Sequence, residues 1–334
     1  MRLDRLSPAN IRVIMSQHTP ERIDVWLTQI RLEADDVASY EFRPVGSPDL
    51  PAFEAGAHID LHLPENRVRS YSLVNDPQER HRYVIAVQRE AAGRGGSAWM
   101  HSVPRVGDRF TISLPQNDFA LCENAPESIF ICGGIGITPV VSMIRRLERV
   151  GAPWHLHYAA RERMRAAYVD DLAKVAGADS RVSMYFQNED QRLDVRHLVE
   201  RVSAGAHLYC CGPRGMVDDF IDACAEHPQE QVHFERFAAA NEAANEGGFE
   251  VVLHRDGRRI AVSPGKTILD ALLDHGVDVQ YACSAGVCGT CRVGVIDGVP
   301  DHRDDFLSTE EKAGNCAVMV CCSGSLSSTL VLDL

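Results

Sequence analysis

The chain has 334 residues, 45% of them hydrophobic and 24% charged, enough for two or three domains that each bury a core. Its 47 acidic residues exceed its 34 basic ones, and the resulting net charge of −13 argues against a nucleic-acid partner. No apolar run reaches the length of a membrane span, and the opening MRLDRLSPANIRVIM lacks a signal-peptide core; the eleven cysteines are therefore expected in a reducing cytoplasm, as ligands or free thiols.

Residues 10–120 are dominated by segments of period two: IDVWLTQIRLE, AHIDLHL, YSLV, YVIAVQRE and DRFTISLP. Turn signals at Pro51, Pro64, Asn75-Asp76-Pro77 and the glycines of 93–96 separate them, which predicts an antiparallel barrel or sandwich. Two segments in this region invite chemistry: Arg69-Ser70-Tyr71-Ser72-Leu73 and Gly93-Arg94-Gly95-Gly96-Ser97. Alone, the first reads as an ordinary strand. Together they offer a forked arginine and a glycine–serine helix start to a phosphate, with Tyr71 for a flat ring and Ser72 for a ring nitrogen. The pair predicts a site for a phosphorylated aromatic cofactor.

From about residue 125 the pattern becomes α/β. SIFICGGIGITPVVSMIRRLERVG reads as an apolar strand, a glycine turn and a helix, with Thr138 as expected N-cap, Pro139 in the first turn and Gly151 as the stop. Gly133, Gly134 and Gly136 would let the chain approach a pyrophosphate, although the turn is not G-x-G-x-x-G. Strands WHLHYAAR, VSMYFQ and HLYCCGP then alternate with helices AAYVDDLAKVAG, VRHLVERV and RGMVDDFIDACAEH, predicting a parallel sheet whose crevice lies at the strands' carboxyl ends. Cys211-Gly212-Pro213 stands at such an end; by itself Cys211 reads equally well as a buried packing thiol. Arg161, Glu162, Arg163 and Arg165 mix both signs where cofactor preference is set, so they leave NADH against NADPH open. Arg161 is the candidate adenosine-side contact, with a solvated loop arginine as the alternative.

The run 238–248 lacks a hydrophobic period and reads as a linker, preceded by His233-Phe234-Glu235-Arg236-Phe237. Beyond it FEVVLHRDGRRIAV predicts two strands about an Asp256-Gly257 turn, and TILDALLDHG a helix. Cys283, Cys288 and Cys291 follow at C-x4-C-x2-C spacing, with Cys321 after a further 29 residues. That spacing suits a plant-type [2Fe–2S] cluster better than a zinc site or a disulfide framework. Cys322 and Cys316 compete with Cys321 as fourth ligand. Residues 249–334 hold 12 acids against 7 bases, a solvated face or a docking rim for a basic partner.

RSYS, GGIGITP and CCGP resemble the ferredoxin–NADP reductase superfamily. With a ferredoxin-like end, nearly the whole chain resembles the phthalate dioxygenase reductase family, including vanillate O-demethylase-type reductases. The resemblance implies an antiparallel β-barrel flavin domain (1–122), an α/β parallel-sheet nucleotide domain (123–237), the linker, and a β-grasp ferredoxin domain (249–334). It implies FMN held by Arg69, Ser70, Tyr71 and Ser72, with Gly95, Gly96 and Ser97 as phosphate loop. NADH would lie on Gly133, Gly134, Gly136 and Thr138, with Cys211, Gly212 and Pro213 at the nicotinamide. Ser72 and Cys211 would flank hydride transfer, and Phe237, preferred to Phe234, would cover the flavin. The apolar residues before Cys321 match a ferredoxin's last ligand strand. Electrons would pass from NADH to FMN to [2Fe–2S] and on to a Rieske non-haem iron oxygenase of aromatic hydroxylation or demethylation. The alternatives are the same relay serving a cytochrome P450, or a non-enzymatic iron–sulfur carrier.

Overall fold

The structure is a computed structural model that describes residues 22–64, 67–90, 95–177, 181–237, 243–281 and 283–334. The opening stretch, Gly93, Arg94 and residues 238–242 of the expected linker lie outside the described residues.

The first unit contains β1 (Arg22–Ala34), β2 (Val37–Pro44), β3 (His58–Leu63), β4 (Arg67–Ser72), β5 (Tyr83–Gln88), α1 (Gly96–Ser102) and β6 (Arg109–Ser113). Its antiparallel sheet runs β4-β3-β6-β1-β2-β5. The sheet curls until its outer strands meet where Leu73 bridges Ile85 and the Val74 N–H donates to Val84 O at 2.9 Å. Val25, Leu27, Tyr40, Phe42, Ile59, Leu61, Tyr83 and Ile112 fill the interior, the alternate positions that a half-buried strand turns inward. The unexpected strand is β2, entered through a tight turn at Asp36 with φ 61°. Its Ser39 and Glu41 are buried too: Ser39 donates to Glu33 at 2.6 Å and Glu41 accepts from Arg82 and Arg43, each at 2.8 Å.

The second unit contains β7 (Ser128–Gly133), α2 (Ile137–Val150), β8 (Trp154–Ala160), α3 (Val169–Ala176), β9 (Val182–Phe186), α4 (Val195–Val199), β10 (His207–Cys211), α5 (Arg214–Ala223) and β11 (Val232–Glu235). The sheet is parallel throughout, in the order β11-β10-β7-β8-β9. Every residue of the central β7 is buried, as helices on both faces require. Two expectations change. Thr138 is not the N-cap of α2: Gly136 takes that position, and Thr138 lies buried inside the helix, donating to Ile135 O at 2.9 Å. The expected helix over 166–177 starts later, because Tyr168 turns the chain through φ 63° ahead of α3.

The third unit contains β12 (Phe249–Leu253), β13 (Arg259–Val262), α6 (Ile268–Asp274), β14 (Arg292–Asp297), β15 (Pro300–Asp301), α7 (Thr309–Gly314), β16 (Ala317–Met319), β17 (Gly324–Ser325) and β18 (Thr329–Leu332). Its main sheet runs β13-β12-β18-β14-β16, with β12 and β18 parallel. Ile268, Leu269 and Leu272 of α6 pack into that sheet's core, and a Thr267–Asp270 capping box starts the helix. The described part of the expected linker, 243–248, is tied to this unit. The Ala244 N–H donates to Cys322 O and the Gly265 N–H to Asn245 O, both at 2.7 Å.

The Asn75-Asp76-Pro77 turn docks the first unit on α2. Ser142 donates to Asn75 O at 3.0 Å, Arg145 to Val74 O at 2.9 Å, and Arg149 Nε to Asp76 at 3.0 Å. Among the described residues no helix is long and apolar enough to cross a membrane.

Candidate active site

The three units meet around a cavity of about 530 Å³. Arg69, Ser70, Tyr71 and Ser72 line it from β4, Ile135 from the turn before α2 and Thr138 from the start of α2, and residues 234–237 from the end of β11 and just beyond it. Cys283, Ala285, Val287 and Cys288 close it from the third unit.

The β4 wall supplies two kinds of group. Burial pushes the Tyr71 phenol up to about 12 against the opposing charge of Arg69, so it remains a neutral ring at the cleft. Ser70 is committed elsewhere, donating to Asp60 Oδ1 at 2.6 Å. Arg69 lies across the start of α1, where a Cβ on Gly96 would stand 2.9 Å from its Nε. Gly95, at φ 80°, leaves the same room beside Arg67, whose Nη1 would be 3.1 Å from a Cβ there. Two guanidinium groups thus cover one glycine pair, a geometry that fits a phosphate. Ser97 accepts the Glu90 N–H at 3.1 Å.

The glycine turn is built by contact. A Cβ on Gly133 would come 2.4 Å from Pro213 Cδ, and one on Gly136 would come 2.2 Å from the Cys211 carbonyl oxygen. A Cβ on Gly212 would in turn come 2.9 Å from the Gly133 nitrogen. Gly134 differs, with φ 54° and open space where its side chain would be. It is the position that leaves the turn accessible to a ligand. Cys211 is wholly buried behind this turn, and burial, with Glu235 nearby, holds its thiol well above the ordinary range. Arg161 is exposed on the loop after β8, away from the cavity lining. Its neighbours are engaged: Arg163 lies 4.5 Å above the Phe186 ring, and Arg165 pairs with Asp36 and Glu162, each at 3.5 Å.

The cysteines approach in two pairs. Cys283 faces Cys288 at the cavity, and Cys291 faces Cys321 behind it. Among the described residues no three side chains converge as they would on a single ion. Two thiol pairs suit two iron atoms bridged by sulfide. The contact with Cys283, helped by Thr290, draws the Cys288 thiol down, favouring the thiolate that a metal requires. Left-handed backbone at Ser284, Gly286 and Gly289 winds the loop, and the Ala285 N–H already donates to Cys283 Sγ at 3.3 Å. Cys322 touches Cys321 but also turns toward Met319 O at 3.8 Å and Ser323 at 3.9 Å, while Cys316 is exposed.

Phe237 and Phe234 both line the cavity and are 41% and 44% exposed, so their positions do not separate them. Glu235, between them, escaped the sequence reading. It is half-buried at the cavity, its buried Oε2 has no hydrogen-bond partner among the described residues, and burial with nearby Asp118 raises its carboxyl to about 8. An acid flanked by aromatics at a strand end was the available signal.

Comparison with known proteins places these features in a family. Residues 130–222 match the oxidoreductase NAD-binding domain, and residues 251–324 match the 2Fe-2S iron-sulfur cluster binding domain. The chain is 51% identical to phenoxybenzoate dioxygenase subunit beta of Ectopseudomonas oleovorans, over 90% of this chain and 94% of the relative. It is 42% identical to a vanillate O-demethylase oxidoreductase of Pseudomonas sp. (strain HR199 / DSM 7063), over 93% of this chain and 100% of the relative. The solved structure of phthalate dioxygenase reductase superposes with a TM-score of 0.83 at 37% identity, covering 94% of this chain and 98% of that one. The chain therefore belongs to the phthalate dioxygenase reductase-like family of oxidoreductases, which joins an NAD-binding domain to a [2Fe–2S] ferredoxin domain.

Proposed function

We propose that the protein is the cytoplasmic, NADH-dependent reductase component of a Rieske non-haem iron oxygenase, relaying electrons through FMN and a [2Fe–2S] cluster. The observation that carries this reading is one cavity lined by Arg69–Ser72, Thr138, Phe237, Cys283 and Cys288. The relatives named for phenoxybenzoate dioxygenase and vanillate O-demethylase support the choice of acceptor.

A bound flavin takes an electron pair as hydride and gives up single electrons, which is what a [2Fe–2S] centre accepts. The chain's own residues do the positioning. Arg69, with Gly95, Gly96 and Ser97, would hold the FMN phosphate; Tyr71 would lie along the ring and Ser72 beside its reacting nitrogen. Gly134, with its open left-handed backbone, would admit the pyrophosphate of NADH to the turn formed with Gly133, Gly136 and Thr138. Cys211, Gly212 and Pro213 would shape the nicotinamide end, Phe237 would exclude water from the ring, and Arg161 would meet the adenosine side. Cys283, Cys288, Cys291 and Cys321 would hold the cluster.

Cys288→Ser tests the route. The variant is expected to keep its flavin and the NADH-dependent reduction of a two-electron dye while losing delivery to a Rieske oxygenase. Delivery at the unaltered rate would refute it, and a parallel assay with a cytochrome P450 separates the two acceptors.

A further inference from the structure

Arg236 joins two of the three units. Its Nη2 donates to Asp218 of α5 at 2.6 Å, and its Nη1 donates to Asp305 of the third unit at 3.1 Å. The guanidinium and the Asp305 carboxylate are only 20% and 17% exposed. Exposed ion pairs contribute little, but a partly desolvated fork that makes two charge-assisted bonds at once is harder to break, even though Asp218 is also shared with Arg214 at 3.2 Å.

Asp305 leads directly to the cysteine loop. Its N–H donates to Gly286 O at 3.0 Å, and the next residue, Phe306, lies so close to Gly289 that a Cβ there would be 2.3 Å from its ring. Buried Asp304 stiffens the same segment by accepting the N–H groups of Phe306 and Leu307 at 3.2 and 2.8 Å. On its other side Arg236 is flanked in sequence by Glu235 and Phe237, both on the cavity wall. Residues 243–248 are tied to the third unit, and the Arg236–Asp305 pair is a direct side-chain contact between that unit and the second.

We propose that Arg236 is a positioning residue: its paired contacts with Asp218 and Asp305 hold the Cys283–Cys291 loop at the cavity and so set the rate at which electrons pass from flavin to cluster. The inference rests on the reading under Proposed function. NADH becomes NAD+ in giving up its hydride; the two electrons leave singly, one to each one-electron reduction of a [2Fe–2S] centre, and the proton goes to solvent. The clamp bears on that one-electron step and leaves hydride uptake alone.

The test is anaerobic stopped-flow mixing of the purified holoprotein with NADH, following flavin and cluster bleaching separately, for wild type, Asp305→Asn, Asp305→Glu and Asp218→Asn. Asp218 lies outside the cavity lining and provides a second break in the clamp should Asp305→Asn fold poorly. Flavin bleaching is expected at the wild-type rate in Asp218→Asn, whose site lies outside the cavity that Asp305 lines. Cluster bleaching should slow by up to about a hundredfold in the Asn variants, the scale of loss that a misplacement of about an ångström causes, and should largely recover in Asp305→Glu. The cluster's paramagnetic resonance signal should not change, while amide exchange across Gly286–Cys291 should rise in Asp305→Asn. Wild-type cluster bleaching and wild-type exchange in both Asn variants would overturn the clamp alone. Equal slowing of both phases without rescue by Glu would overturn it as well. A wild type whose cluster never bleaches would overturn the relay itself and the clamp with it.

Discussion

Gly136 and Cys211 touch backbone to backbone, so closely that a Cβ on Gly136 would lie 2.2 Å from the Cys211 carbonyl oxygen. The contact locks the turn after β7 onto the end of β10, two strands already paired at Cys132 and Cys211. Two of the turn's glycines, Gly133 and Gly136, therefore serve strand-end packing, and Gly134 is the one that leaves the backbone open.

Gly136→Ala should consequently behave differently from Gly134→Ala. Overpacking at the first site is expected to cost about 1–3 kcal/mol and lower the melting temperature by several degrees. Gly134→Ala meets no neighbour and carries only the strain of its φ of 54°, on the order of 1 kcal/mol. Thermal melts of the two variants check this; a Gly136→Ala protein as stable as wild type would contradict the packing role.

Arg69→Ala should release flavin. Losing a charge-assisted bond of about 1.5–3 kcal/mol weakens binding roughly tenfold to a hundredfold. Arg69→Lys should recover part of this, since it restores charge without the fork. Flavin fluorescence in the filtrate after ultrafiltration measures the loss, and full retention by Arg69→Ala would contradict the phosphate assignment.

Glu235 predicts a pH dependence of stability. Folding raises its carboxyl from the ordinary 4.5 to about 8, so the folded protein binds that proton more tightly than the unfolded chain does. Its contribution is fully favourable below the ordinary value and declines as pH rises toward 8. Glu235→Gln should remove the decline, melting higher than wild type at the alkaline end of the window and nearly level across it. A variant whose melting temperature falls with pH as steeply as wild type would contradict this.

Cys321 and Cys322 should separate cleanly. Cys321 faces Cys291, whereas Cys322, which also touches Cys321, turns to Met319 O and Ser323. Cys321→Ser is expected to lose at least half of its bound iron and the visible cluster absorbance, and Cys322→Ser to retain both. Cluster loss in Cys322→Ser with retention in Cys321→Ser would reverse the ligand assignment.

The parts legible in the sequence were those with a short-range signature. C-x4-C-x2-C specifies a loop through its own spacing, and the β7 turn announces itself through glycines that admit no Cβ. The Ser308-Thr309-Glu310-Glu311 capping box of α7 carried such a signature too and went unread. Other features depend on distant partners. β11 is four residues long and becomes a strand by pairing with β10. Thr138 looked like an N-cap because its residue type suits one, but the turn delivers Gly136 to that position first. Arg236 reads as an ordinary charge until Asp218 and Asp305 arrive from opposite sides, 18 and 69 residues away.

The central claim is a relay of three electrons' capacity in one chain, and an anaerobic titration with NADH tests it most directly. One flavin and one [2Fe–2S] centre should take up about 1.5 equivalents of NADH before the visible spectrum stops changing, with both chromophores bleached. Saturation near one equivalent, with the cluster absorbance untouched, would contradict the relay.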